Sequence, residues 1–424
     1  MAKIQKIIAR EILDSRGIPT IETKLTLDSG QSVTAAASSG ESIGKYECLE
    51  LRDGDVDRFN GLGVTQSVSY VNNLIAPKLI GVSCDRQIDI DYWLMSIDST
   101  PQKSVIGVNT TMTLSQVVLK AHAKSENLQY YLYINLLMNK LFNFPFQIKK
   151  MPSPIFNLIN GGKHGIKNLE FQEFQVIPLT SLNFSQALKV GVEIYHHVKK
   201  VLEYRNAGVS VSDEGGFTPY LLTNYDALNF LKGILVERKM VLGVDIFLGL
   251  DLAASNFYKN GKYVIKDKSA PLKSDEFIEY IVELNNQFKT LIIEDAIEQE
   301  DFDSWKKLNQ KIGTNSYVVA DDFTAGNKSR VLRGIKENLC TGILLKLNQN
   351  ATLSEMMEVI NLSKQAGMKT IFSHRLGETT DSFIADFAVG AQVDFVKFGA
   401  PVRGERVVKY NRLLAIEDEL KNIT

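Results

Sequence analysis

The chain has 424 residues, 44% of them apolar, which exceeds one hydrophobic core and predicts at least two domains. Its 48 basic and 49 acidic residues leave a net charge of -1, which excludes a general attraction to nucleic acid or anionic membrane, so an anionic ligand must be held by local groups. Three scattered cysteines (Cys48, Cys84, Cys340) without metal-ligand spacing, a start that lacks a signal-peptide core and the absence of a long uncharged apolar stretch together predict a cytoplasmic protein with no transmembrane segment.

Residues 3–36 read as antiparallel strands. Ile21, Thr23, Leu25 and Leu27 alternate with Glu22, Lys24 and Thr26, and Asp28-Ser29-Gly30 supplies a turn before Val33. Helical periodicity follows, with Val64, Val68, Val71 and Ile75 on one stripe, and helix-like stretches run to about residue 142. The proline-marked segments Phe144-Pro145 and Met151-Pro152-Ser153-Pro154 form a seam. The expected division is therefore an α+β domain over 1–142 and a second domain over 143–424. In the second, predicted helices at 184–204, 224–237, 274–286 and 352–366 alternate with short apolar strands, and a last helix spans 405–422.

Six apolar runs between 247 and 397 end on an ionisable side chain: Asp251, Glu294, Asp321, Lys346, His374 and Lys397. From Glu294 onward the intervals are 27, 25, 28 and 23 residues, each enough for a strand, a helix and two short loops. Such repetition is the pattern of a β/α barrel, whose reactive groups converge at the carboxyl ends of its strands. Asp251, Glu294 and Asp321 offer hard oxygen donors with no thiolate or imidazole among them, which suits magnesium. Any one of these acids read alone is equally well a helix cap. Lysine at a barrel strand end is harder to place structurally, because a buried ammonium needs a partner or a task. Near a divalent cation and Lys397, the Lys346 amine is expected to have a lowered pKa, which suits a general base.

Longer segments carry a family resemblance. They are Ala9-Arg10, Asp14-Ser15-Arg16-Gly17-Ile18-Pro19-Thr20, Ser39-Gly40-Glu41-Ser42-Ile43-Gly44 and Glu50-Leu51-Arg52-Asp53-Gly54-Asp55 in the first part. Asn160-Gly161-Gly162-Lys163-His164, Phe171-Gln172-Glu173-Phe174, Asp213-Glu214-Gly215-Gly216-Phe217, Ser373-His374-Arg375-Leu376-Gly377-Glu378 and Lys397-Phe398-Gly399-Ala400-Pro401 follow. In this order and spacing the chain resembles the enolases, the phosphopyruvate hydratases of glycolysis, from end to end.

The resemblance implies an α/β protein: a smaller amino-terminal α+β domain and a TIM-like β/α barrel that opens with a ββαα element. It implies reversible dehydration of 2-phosphoglycerate to phosphoenolpyruvate with two Mg2+ ions per active site; a lysine or histidine base beside magnesium is a known arrangement for this superfamily. Asp251, Glu294 and Asp321 would hold the first ion, and Ser42 would join the second as its loop closes. Lys346 would be the general base, Lys397 would stabilise the doubly charged enolate, and Glu214, helped by Glu173, would protonate the departing hydroxide. Arg375 would grip the phosphate, with Leu376 beside it, while His164, Gln172 and His374 line the substrate. A homodimer or higher even oligomer is implied, with Arg10 and Glu405 matching a cross-subunit ion pair.

Several positions depart from the family pattern. Glu41 and Ile43 stand where alanine and threonine are usual, and a carboxylate closing over a phosphorylated acid costs roughly 1 kcal/mol at ~8 Å for an effective dielectric of ~40. Leu376 replaces a serine, forgoing a hydrogen bond to a charged group worth roughly 1.5 to 3 kcal/mol. Phe398, Asn350-Ala351, Asn256 and Ala296 also differ. The expected penalty falls on substrate affinity more than on the chemical step. Two other readings compete: a lapsed homologue with a binding or scaffold role, which the retained ligands and lysines disfavour, and a superfamily enzyme acting on a non-phosphorylated acid, which Arg375 and the Glu173–Glu214 pair disfavour.

Overall fold

The computed structural model describes residues 2–40, 44–143 and 146–422. The chain forms two compact units, Met1–Lys150 with Leu345–Leu362 and His374–Gln392, and Met151–Leu344 with Ser363–Ser373 and Val393–Thr424.

The first unit begins with a three-stranded antiparallel sheet, β1 (Ile4–Leu13), β2 (Pro19–Leu27) and β3 (Ser32–Ala36). Asp14 closes the first hairpin by accepting the backbone N–H groups of Arg16 and Ile18, and Gly30 takes the positive φ that the second turn requires. Ile21, Leu25 and Leu27 point into a core shared with Val64, Val71 and Ile75, as their spacing predicts. The helix over those last residues is broken into α1 (Thr65–Ser69), a π-helical turn (Tyr70–Ile75) and α2 (Ala76–Leu79). Pro77 has no N–H to continue the ladder, and the widened turn absorbs that loss. The helices α3 (Gln87–Ile97), α4 (Val108–Ser125) and α5 (Tyr130–Leu141) follow. Buried almost all round, α4 keeps its threonines satisfied inside by back-bonding, Thr110 to the Ile106 carbonyl at 2.6 Å and Thr113 to that of Asn109 at 2.9 Å.

The second part of the chain runs β4 (Ser153–Asn160), β5 (Glu173–Pro178), α6 (Phe184–Tyr204), α7 (Asn224–Glu237), β6 (Ile246–Asp251), a small hairpin β7 (Tyr258–Lys259) and β8 (Lys262–Tyr263), and α8 (Ser274–Phe288). It continues with β9 (Thr290–Glu294), α9 (Phe302–Ile312), β10 (Tyr317–Ala320), α10 (Lys328–Glu337), β11 (Gly342–Leu345), α11 (Leu353–Gln365), β12 (Lys369–Ser373), α12 (Phe383–Gly390), β13 (Phe395–Lys397) and α13 (Gly404–Lys421). Eight strands close into a barrel in the order β4, β5, β6, β9, β10, β11, β12, β13. Ile155, Ile177, Ile292, Val319, Leu344, Ile371 and Phe395 pack together as its filling. Each such burial contributes roughly 1.5 to 3 kcal/mol, and strands covered on both faces read as unbroken apolar runs.

The opening ββαα element is present: β5 lies antiparallel to both β4 and β6, and two helices follow it. Capping boxes start those helices, Asn183 with Gln186 for α6 and Thr223 with Asp226 for α7. Phe398 is fully buried against the Tyr410 ring of α13, at a centroid distance of 6.1 Å, and Tyr410 donates its hydroxyl to the Gly399 carbonyl at 2.7 Å. The bulk after Lys397 thus fills space between β13 and α13. Among the described residues no helix is long and apolar enough to cross a membrane.

Candidate active site

Strand register builds the mouth of the barrel. Because β5 is reversed, its first residue, Glu173, sits beside the last residues of its neighbours, opposite Asn160 of β4 and Asp251 of β6. Asp251 in turn is level with Glu294 of β9. From β13, Lys397 sends its ammonium among these acids: Nζ lies 2.8 Å from both oxygens of Glu294, 3.3 Å from Glu173 and 3.5 Å from Asp251. All four side chains are buried. Gln172 donates to Asp251 Oδ2 at 3.2 Å, and the N–H of Ala253, in a left-handed conformation, donates to Oδ1 at 3.0 Å.

A second cluster adjoins the first. Glu214 Oε2 faces three donors, Asn157 Nδ2 at 3.0 Å, Asn160 Nδ2 at 2.9 Å and His164 Nδ1 at 3.0 Å. His164 also lies 3.8 Å from Glu173 Oε1, and Gln175 donates to Glu173 Oε2 at 2.8 Å. The ligand atoms of His164, Glu173 and Glu214 lie within 4.8 Å of one another, with the imidazole between the two carboxylates.

The charges of this mouth are unbalanced. Burial raises the Glu173 pKa to about 7, with Lys397 opposing and the Glu214 and Asp251 carboxylates adding to the rise. Glu294 is held well above the usual carboxylate range by burial and by Asp251, again against Lys397. For Lys397, burial favours the neutral amine, yet Glu173, Glu294, Asp251 and Asp321 outweigh it and hold the pKa well above its ordinary value. His164 behaves alike: burial opposes its charge, but Glu214 and then Glu173 raise it to about 8.

These last values fix a pH dependence for the metal-free protein. A histidine raised from 6.5 to about 8 stabilises the fold fully below pH 6.5 and loses that contribution as pH rises through 8. Glu173 acts in the same sense, stabilising below 4.5 and losing the contribution as pH rises through 7. Urea unfolding is expected to show stability falling by about 3 kcal/mol between pH 6 and pH 9, of which His164→Gln should remove about 2. An unchanged slope in the variant counts against the assignment.

Asp251, Glu294 and Asp321 fit a hard divalent cation. They are oxygen donors only, they are buried, and the carboxylates around Lys397 outnumber the one ammonium among them. Asp321 opens the loop after β10, and that loop is fixed by a residue the sequence reading passed over. Asp295, buried and at φ 43°, accepts the backbone N–H of Asp321 on one oxygen (2.9 Å) and that of Asp322 on the other (2.8 Å). Its place directly after Glu294 was the available signal, but a second acid beside a ligand reads as solvent-facing. Asn157, Asn160 and Gln175 were likewise missed as partners of the acid pair.

The remaining predicted residues, apart from Glu405, belong to segments of the first unit. Lys346 and His374 directly follow β11 and β12, half-buried and buried respectively. Arg375 is buried and pairs with Glu47 through Nη1 at 2.9 Å, and Leu376 is half-buried. Ser42, Glu41 and Ile43 lie outside the described residues. Arg10 pairs with Glu22 at 2.7 Å, and Glu405 with Arg403 at 2.8 Å, so each has a partner within its own chain.

Two family models match this chain in succession. The one described as Enolase, N-terminal domain covers residues 4–134, and the one described as Enolase, C-terminal TIM barrel domain covers residues 148–424. With a three-stranded α+β start, a closed barrel whose second strand runs backwards, and acids ringed around one buried lysine at its mouth, the chain belongs to the enolase family.

Proposed function

We propose that the protein catalyses the magnesium-dependent, reversible dehydration of 2-phosphoglycerate to phosphoenolpyruvate. The observation that carries this reading is the barrel mouth, where three buried carboxylates lie within 3.5 Å of the Lys397 ammonium and His164 stands between Glu173 and Glu214. Two Mg2+ ions, the first held by Asp251, Glu294 and Asp321 and the second completed by Ser42, would draw off the negative charge that accumulates on the substrate carboxylate.

Lys346 removes the proton next to that carboxylate. Lys397, kept charged by its acidic neighbours, faces the carbanion and neutralises it without reorganising. Glu214 delivers a proton to the hydroxyl on the adjacent carbon, which leaves as water. Glu173, with a pKa of about 7, and His164, at about 8, keep exchangeable protons beside it near neutrality. Arg375 grips the phosphate with its fork of donors, while Gln172 and His374 line the substrate. The backbone N–H at Leu376 remains a donor even though the side chain is apolar.

The reading extends to a cytoplasmic homodimer. Three free cysteines suit a reducing setting, and Ile8 and Leu13 of β1 are 45% and 55% exposed beside Arg10, which suits a face that meets a second copy.

The test is direct. Growth of phosphoenolpyruvate absorbance from 2-phosphoglycerate is expected with Mg2+, to vanish on chelation, and to return when Mg2+ is restored. Saturating Mg2+ should also raise unfolding stability, by about 2.7 kcal/mol at a hundredfold excess over its dissociation constant. Turnover that survives full chelation, or none in excess Mg2+, overturns the proposal.

A further inference from the structure

Glu47 is only 2% exposed, and its two oxygens serve two different segments of the first unit. Oε2 accepts from Arg375 Nη1 at 2.9 Å, and Oε1 accepts from Gln349 Nε2 at 3.2 Å. Gln349, also 2% exposed, uses its other amide atom on the backbone beside Lys346: Oε1 accepts the Lys346 N–H at 3.0 Å, and the Gln349 N–H returns to the Lys346 carbonyl at 3.0 Å. The result is an unbroken series of hydrogen bonds, Arg375 to Glu47 to Gln349 to Lys346, buried up to its end at the half-buried Lys346.

The series is braced on both sides. Glu50 accepts Asn348 Nδ2 at 2.8 Å and the Gly40 N–H at 2.8 Å, and is itself paired with Arg52 at 2.6 Å. A Cβ at Gly40 would overlap the Arg375 guanidinium, so the backbone there packs directly on it. A buried guanidinium needs a counter-charge and a buried carboxylate needs donors. Each here satisfies the other, and such satisfied networks are stiff.

We propose that Glu47 and Gln349 are positioning residues that tie the guanidinium of Arg375 to Lys346, so that seating the substrate phosphate and aiming the base are set by one rigid link. The proposal rests on the function read above, in which Arg375 holds phosphate and Lys346 takes the proton. Neither positioning residue needs to touch substrate. The Glu47 charge even opposes an anion on the same guanidinium, so its loss should impair turnover without impairing anion binding.

The experiment exchanges the two side chains. E47Q sets two amide donors against each other, and Q349E sets two carboxylates against each other, whereas the double variant E47Q/Q349E restores a donor facing an acceptor and leaves an acceptor for both Arg375 and the Lys346 N–H. Each single variant is expected to lose about tenfold or more in kcat, because small misplacements of a reacting group carry large rate penalties. Inhibition by inorganic phosphate should stay within about threefold of wild type or tighten, and the double variant should recover kcat to within about threefold, the non-additivity of directly bonded residues. Single variants within about twofold of wild type, or a folded double variant no faster than the worse single, overturn the link. If a single variant does not fold, the double variant decides alone. A wild-type protein with no turnover of 2-phosphoglycerate instead removes the function reading and the link with it.

Discussion

Lys346→Ala is expected to lower kcat by about 10²- to 10⁴-fold, the range a positioned general base supplies, with little change in KM. The reasoning starts from position. Lys346 directly follows β11, and its backbone is held on both sides of the peptide by Gln349. Its side chain is half-buried, so truncation exposes little new apolar surface, and the fold should survive with a thermal midpoint close to that of wild type. On the proposed function the variant keeps the groups assigned to substrate binding, Arg375 and the acid ring, so the loss should appear in the step that moves a proton. A variant with undiminished turnover would show that another group takes that proton. A loss confined to KM would make Lys346 a binding residue.

Lys397→Met should be more damaging, because it removes both a chemical group and the counter-charge of a buried acidic cluster. In the intact protein the ammonium is paired with Glu294, Glu173 and Asp251 within 3.5 Å. Breaking one side of a buried ion pair costs about 3 to 5 kcal/mol, because the other side stays behind uncompensated. The deficit has a predictable pH dependence. Glu173 and Glu294 already have raised proton affinities, and an acid raised in the folded state stabilises at low pH and loses that contribution as pH rises through its folded pKa. Without Lys397 these acids rise further, so the variant should be much less stable than wild type at pH 8 and recover part of the difference at pH 6. On the proposed function turnover should fall by at least about 10²-fold, since the charge assigned to neutralising the carbanion would be gone. Urea unfolding at the two pH values, with Mg2+ removed, checks the first expectation. Equal stability of variant and wild type at pH 8 would mean that the acids are not charged as described.

Much of this was legible in the chain because a barrel strand is an apolar run that stops. Asp251, Glu294, Asp321, Lys346, His374 and Lys397 each interrupt one, and the structure puts every one of them at or directly after the end of a strand. Helix positions followed from periodicity for the same reason, and 184–204 and 224–237 coincide with α6 and α7. What stayed hidden depends on partners distant in sequence or on backbone detail. Glu47 and Gln349 are 302 residues apart, and neither looks special among its neighbours. Asp295 acts by accepting two N–H groups from the next strand's loop, which no local pattern announces. Gln175 sits inside the barrel wall as a polar residue in an apolar run, and its amide N–H donates to Glu173. The break at Tyr70–Ile75 escaped because the apolar stripe continues across a π turn as smoothly as across a regular helix.

The reversed strand β5 also dictates how many helices must follow it. A strand that ends at the mouth needs one helix to carry the chain back to the base, where the next strand starts. Since β5 ends at the base, where β6 also begins, a single helix would strand the chain at the wrong end, and only an even number returns it. The pair α6 and α7 is therefore a matter of parity: losing either helix alone would break the barrel, and the turn between them falls at the mouth, which is how Glu214, from a stretch that belongs to no strand, comes to stand beside Asn157 and Asn160 of β4.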